Sequence, residues 1–142
     1  MLVFMAVETL DTLRKVPLFS RLDRRDLERL ATSMKERTFP EGTTVTREGQ
    51  GGVGFFVILS GEGAVNVGGD PRGTLGPGDS FGEIALIDEG ARTATITAVT
   101  DLRCVGMTAW EFKPFVQEHP DVAWALLQGL AGRVRSAEAE SA

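Results

Sequence analysis

Cysteine, histidine and runs of a single charge sign are all scarce in this chain, and each scarcity removes a class of function. Cys104 is the only cysteine, which excludes an internal disulfide and any metal site built from several thiolates. His119 is the only histidine and stands immediately before a proline. Barrel metal sites made of several converging imidazoles, and nucleophile constellations that depend on histidine, are therefore not expected. No Lys/Arg run occurs and the net charge is −5, so the field of the molecule opposes polyanions and nucleic acid is not expected as a partner. The apolar start Met1–Val7 is ended by Glu8 after seven residues without a basic flank. That is too short for a signal core or a membrane span. Together these absences predict a cytoplasmic protein with no catalytic residues and no metal.

What is present describes a folded chain. At 142 residues, 42% of them hydrophobic and 25% charged, one domain spanning residues 1–142 is expected. Leu10, Leu13 and Val16 recur at helical spacing, and Asp23 is placed to cap a second helix carrying Leu27, Leu30 and Met34, so helices are predicted over about residues 7–36. From about 37 to 107 the texture changes to short runs of Val, Ile, Thr and Phe between Gly, Pro and Asp turns, the pattern of an antiparallel barrel, sandwich or jelly roll. The continuous apolar run Phe55–Leu59 predicts a strand covered on both faces. Ala94, Ile96 and Ala98 alternate with threonines as in a half-buried strand. Helices return over about 108–138. Thr108 and Glu111 have capping-box spacing, Pro114 is expected to kink or shorten the first helix, and Pro120 suits the start of the second. Ala123, Leu127, Leu130 and Val134 form the apolar stripe predicted for that last helix, with Trp124 off the stripe and fraying expected from Ser136. Asp23, Arg24, Arg25 and Asp26 read as a solvated face, and Cys104 as a small core residue.

The segment Phe81-Gly82-Glu83-Ile84-Ala85-Leu86-Ile87-Asp88-Glu89-Gly90-Ala91-Arg92-Thr93-Ala94 carries most of the functional information. Backbone amides at the start of a helical turn, together with a guanidinium, suit a small anion. A carboxylate accepts from a hydroxyl but repels a phosphate, so Glu83 beside Arg92 suits a ligand bearing both groups close together, such as a ribose with a cyclic phosphate. The competing reading is an ordinary surface ion pair across a turn, worth about 0 to 1 kcal/mol.

The same residues, with Arg47-Glu48-Gly49-Gln50 leading to Phe55–Gly61 and with Val16-Pro17-Leu18-Phe19, resemble the cyclic nucleotide-binding domains of kinases, channels and catabolite-activator-like regulators. Nearly the whole chain is covered, and the phosphate cassette is a specific motif. The resemblance implies a mainly β fold, an antiparallel jelly roll (double-stranded β-helix) with short N-terminal helices and C-terminal lid helices. It implies that Glu83 accepts from the ribose 2′-hydroxyl with the Gly82 amide beside it, that the Ala85 amide and Arg92 meet the cyclic phosphate, and that Thr93 also contacts phosphate. Phe81, Ile84 and Ala94 complete the cassette, Val65 and Leu75 form an apolar wall under the purine, and Arg133, Arg135 and Ser136 are candidate lid contacts. The expected ligand is cAMP in preference to cGMP, with no further cofactor. The chain departs from the family at Gln50-Gly51-Gly52-Val53-Gly54, where an acidic residue is usual; the expectation is an altered loop and an unaltered pocket. Family transcription regulators continue into a helix-turn-helix, whereas fewer than ten residues follow Val134, so no DNA-binding domain is expected. The implied function is a stand-alone sensor signalling through its C-terminal helix to an effector protein in trans or within a homodimer. The alternative is a degenerate domain serving as a protein-interaction module.

Overall fold

Short β-prone runs broken by glycine and proline turns cannot form long strands, and they fold instead as many brief ones. A computed structural model describes residues 10–50, 54–88 and 90–141. Two compact units are distinguished: one spans Met34–Phe112, and the other joins the N-terminal segment up to Ser33 to the C-terminal segment from Lys113.

The first unit contains β1 (Lys35–Phe39), β2 (Thr44–Thr46), β3 (Phe55–Ser60), β4 (Gly63–Val67), β5 (Asp70–Leu75), β6 (Ser80–Phe81), β7 (Thr95–Ala98) and β8 (Leu102–Met107). They pair antiparallel in two four-stranded sheets, ordered β1-β8-β3-β6 and β2-β7-β4-β5. This is the jelly roll expected from the resemblance, with its first strand starting two residues ahead of the predicted boundary near 37. Residues 55–58 are at most 3% exposed, so the continuous apolar run is covered on both faces; Leu59 is half-buried. In β7 the alternation holds, with Ile96 and Ala98 buried. The core gathers Val45, Phe56, Ile58, Phe81, Ile96, Ala98, Leu102 and Cys104. Its rings meet in series: Phe39 edge-on to Phe56 at 5.6 Å between centroids, and Phe56 tilted on Phe81 at 5.7 Å. Burial pushes the Cys104 thiol up to about 11, which leaves it an inert core group. Between β4 and β5, Gly68 and Gly69 have φ of +59° and +85°, the two left-handed residues that a two-residue type I′ hairpin requires.

The helical unit contains a helical stretch at residues 10–14, a 3-10 turn at Pro17–Phe19, α1 (Arg24–Thr32) and a long C-terminal helix. Asp23 caps α1 as expected, its carboxylate accepting from the Asp26 amide at 2.9 Å. Asp26 departs from the predicted solvated face, since it is only 6% exposed. Burial, and then the neighbouring Asp121, push its carboxyl up, against the lowering effect of Arg29. Two further helices follow a one-turn helix α2 (Ala85–Asp88): α3 (Ala109–Glu118) and α4 (Pro120–Ser141).

Pro114 lies inside α3 without ending it. The missing N–H removes one helix bond, the one to the carbonyl of Trp110. In α4 the predicted stripe is displaced. The buried positions are Val122, Ala125, Leu126 and Gly129, whereas Leu127 and Val134 are more than half exposed. The reason is Gly129, whose missing Cβ lets the helix lie against the carbonyls of Leu18 and Pro17 and so selects the buried face. Fraying from Ser136 is not observed, because Ser136–Ser141 alternates Ala and Glu, good helix formers that prolong α4.

Thr108 and Glu111 form the predicted box with one variation. The Thr108 amide and hydroxyl both donate to Oε1 of Glu111, at 3.1 and 2.7 Å, and Lys35 lies 3.1 Å from Oε2. These donors, Thr108 foremost, hold the Glu111 carboxyl down to about 2. A carboxyl depressed on folding stabilises fully above its ordinary value of 4.5, and the contribution is lost as pH falls from there toward about 2. Glu111→Gln is expected to lower stability by about 1 kcal/mol at neutral pH. Denaturant titrations of wild type and variant should draw together as pH falls from 4.5 toward about 2; parallel curves would contradict this assignment.

Candidate ligand site

β6 ends at Phe81, and the chain turns at Gly82, whose φ is +89°. A side chain there would be strained, and its Cβ would also collide with the Arg92 guanidinium and the Gly54 carbonyl. The next residues wind into α2, where the Ile87 and Asp88 amides donate to the Ile84 carbonyl at 2.9 and 3.2 Å. The amides at the start of such a turn have no carbonyl of their own turn to meet. Leu86 anchors the turn at 4% exposure, while Ile84 and Ile87 are 37% and 44% exposed. Asp88 accepts from the Gly90 amide at 2.8 Å, closing the return toward Arg92.

Arg92 is the unusual group. It is 9% exposed, its Nη2 donates to the Gly54 carbonyl, and its Nε is buried without a hydrogen-bond partner. Burial pulls its pKa below the ordinary arginine value, and the Glu83 charge opposes that shift. The backbone of Arg92 is held from both sides, its amide donating to the Gln50 carbonyl at 2.9 Å and its carbonyl accepting from the Gly49 amide at 2.8 Å. An arginine paired this incompletely and buried this deeply is a poor surface ion pair. It is a desolvated donor directed beside a carboxylate, a geometry that can bind an oxyanion and orient a hydroxyl.

Gly82, Glu83 and Arg92 are thus brought together as the sequence predicts. Phe81 is placed in the core at 8% exposure, so its ring packs on Phe56. Thr93 is exposed, and Ala94 is half-buried with its carbonyl accepting from the Thr46 hydroxyl at 3.3 Å. Ala85 opens α2. Val65 and Leu75 are partly buried against the core, on the adjacent strands β4 and β5. Arg133, Arg135 and Ser136 belong to α4 in the other unit, where Arg133 and Ser136 line a cleft with Pro17, Ser20 and Arg21. Gly54 went unrecognised in the sequence. Of the 50–54 turn, for which an altered loop and an unaltered pocket are expected, residues 51–53 lie outside the described residues, while the Gly54 carbonyl that follows them accepts from Arg92. The signal was the glycine itself, since a Cβ there would strike the Met107 carbonyl. Among the described residues no three His, Cys, Asp or Glu side chains gather as metal ligands would, and no helix is long and apolar enough to cross a membrane.

A family model described as the cyclic nucleotide-binding domain matches residues 36–119. The chain is 31% identical over 132 residues to the CRP-like cAMP-activated global transcriptional regulator of Mycobacterium tuberculosis, covering 88% of this chain and 58% of that protein. It therefore spans a little over half the length of that regulator. Among solved structures, the N-terminal domain of a transcriptional regulator from Streptomyces coelicolor is similar with a TM-score of 0.81 at 33% identity, covering 89% of this chain and 94% of that one. The regulatory domain of Toxoplasma gondii PKA, crystallised with cAMP, is similar with a TM-score of 0.67 at 30% identity, covering 78% and 44%. The buried arginine, the carboxylate beside it and the jelly roll that presents them thus have a common explanation: this chain belongs to the cyclic nucleotide-binding domain family.

Proposed function

We propose that residues 1–142 act as one cytoplasmic sensor domain that binds a cyclic nucleotide, cAMP in preference to cGMP, and reports occupancy through movement of α4. The observation that carries this reading is the buried Arg92 with its unpartnered Nε beside Glu83. A cyclic phosphate supplies the missing acceptor, with the amides at the start of α2, Ala85 among them, donating to the same group. The Glu83 carboxylate and the Gly82 amide take the ribose hydroxyl, and Val65 and Leu75 support the base. Thr93 is positioned for an added phosphate or base contact. Arg133, Arg135 and Ser136 are the lid contacts in this reading. The cAMP preference rests on the mycobacterial and Toxoplasma relatives, whose names specify cAMP.

Transmission needs a partner, because a nucleotide shifts a helix only through different affinities for its two positions. The solvent face of α4 favours a second copy of the chain over other effectors. Trp124, Leu127 and Val134 are 64%, 57% and 56% exposed. With exposed Ala131 they repeat at the three- and four-residue spacing of a coiled-coil seam.

Isothermal titration should give saturable heat with cAMP and weaker binding with cGMP. Arg92→Ala should weaken cAMP binding by about 2 to 5 kcal/mol, the scale of a desolvated charge-assisted contact. Gly82→Ala should also weaken it by displacing the guanidinium. No heat at high micromolar cAMP would contradict the reading and favour the interaction-module alternative. Sedimentation should show a dimer that Trp124→Glu with Leu127→Glu converts to monomer; an unchanged sedimentation coefficient would remove α4 as the interface.

A further inference from the structure

We propose that Glu48 is a positioning residue that ties the free end of the β4–β5 hairpin to the segment holding Arg92. The inference rests on the nucleotide-binding reading above. The chain from Thr46 to Gln50 is closed onto residues 92–95 by a series of hydrogen bonds. The Thr46 hydroxyl donates to the Ala94 carbonyl at 3.3 Å, the Glu48 amide donates to the Thr95 hydroxyl at 3.0 Å, and Gly49 and Gln50 bracket the Arg92 backbone at 2.8 and 2.9 Å. Glu48 therefore sits in the middle of the strip that locates Arg92. Its carboxylate leaves that strip and accepts from the Gly68 amide at 2.8 Å.

Gly68 is the first residue of the type I′ turn, where the amide points away from the strand ladder and is open to an acceptor from elsewhere. The ladder between β4 and β7 ends at Asn66 opposite Thr95, so beyond Asn66 no strand among the described residues flanks the hairpin on that side. Glu48 supplies a restraint at that overhang, two residues past the end of the ladder. Val65, in the proposed base wall, lies one residue before Asn66. A ligand that spans Arg92 and this hairpin needs their separation held, and Glu48 connects them through its main chain at one end and its carboxylate at the other.

Two measurements test this. In nucleotide-free protein, amide hydrogen exchange should accelerate in Glu48→Ala at Gly68 and also at Gly49 and Arg92. Glu48→Gln, which retains an acceptor oxygen, should restore most of the protection. In titrations, Glu48→Ala should weaken cAMP about three- to tenfold, the effect of losing one such hydrogen bond, and the loss should largely disappear in a Val65→Ala background. Acceleration confined to Gly68, an affinity within about twofold of wild type, or a loss undiminished by Val65→Ala overturns the proposal. Failure of the wild-type protein to bind cAMP defeats the nucleotide reading instead, and the exchange pattern then decides the coupling by itself.

Discussion

A guanidinium carried almost wholly out of water with one of its donors unmatched is the constraint around which the barrel unit is arranged. An unsatisfied buried donor costs about 1–3 kcal/mol, and more when the group is charged. Against a net folding stability of about 5–15 kcal/mol, that cost persists only where the surroundings leave the side chain no alternative. Arg92 has none. Its backbone is bonded on both sides to the 49–50 turn, its Nη2 is gripped by Gly54, and the absence of a side chain at Gly82 is what makes room for it. The Glu83 charge offsets part of the desolvation. The site therefore holds a donor in want of an acceptor, and the fold supplies the restraint.

That restraint has a cause in the core. Phe81 is packed on Phe56 and fixes the point where β6 gives way to Gly82. Gly54 precedes β3, which pairs with β8 from Phe55 opposite Met107. Two glycines flanking the paired strands β3 and β6, each pressed against backbone or guanidinium, meet at the point where the Arg92 guanidinium is held. The apolar core thus sets the position of a polar site without contributing a polar atom, so a core change at Phe56 or Phe81 should be felt at Arg92.

The residue types that carry the chemistry were legible because they lie close together in the chain: Gly82, Glu83, Arg92 and the single turn between them. The jelly roll was legible from β-prone runs interrupted at regular spacing. Contacts made by tertiary approach were not. Gly54 signals a close backbone approach, but sequence alone does not say that its carbonyl will meet an arginine 38 residues away. The buried face of α4 was also misjudged, since Val122, Ala123, Trp124, Ala125, Leu126, Leu127 and Leu130 place apolar groups around the whole helix and periodicity cannot choose among them. The contact of Gly129 with the Leu18 and Pro17 carbonyls chooses, leaving Trp124 and Leu127 outside. Asp26 was hidden for a similar reason, its burial arising from packing that a charged stretch of sequence does not reveal.

The most direct examination of this account is the Arg92 Nε–H resonance in nitrogen-edited NMR, assigned by its loss in Arg92→Lys and followed during titration with cAMP. If the buried donor gains a phosphate acceptor, the resonance should move downfield and its exchange with water should slow at saturation. A resonance that stays unchanged while saturating cAMP perturbs amides elsewhere would contradict the account, because the ligand would then be held without the group on which the site is built.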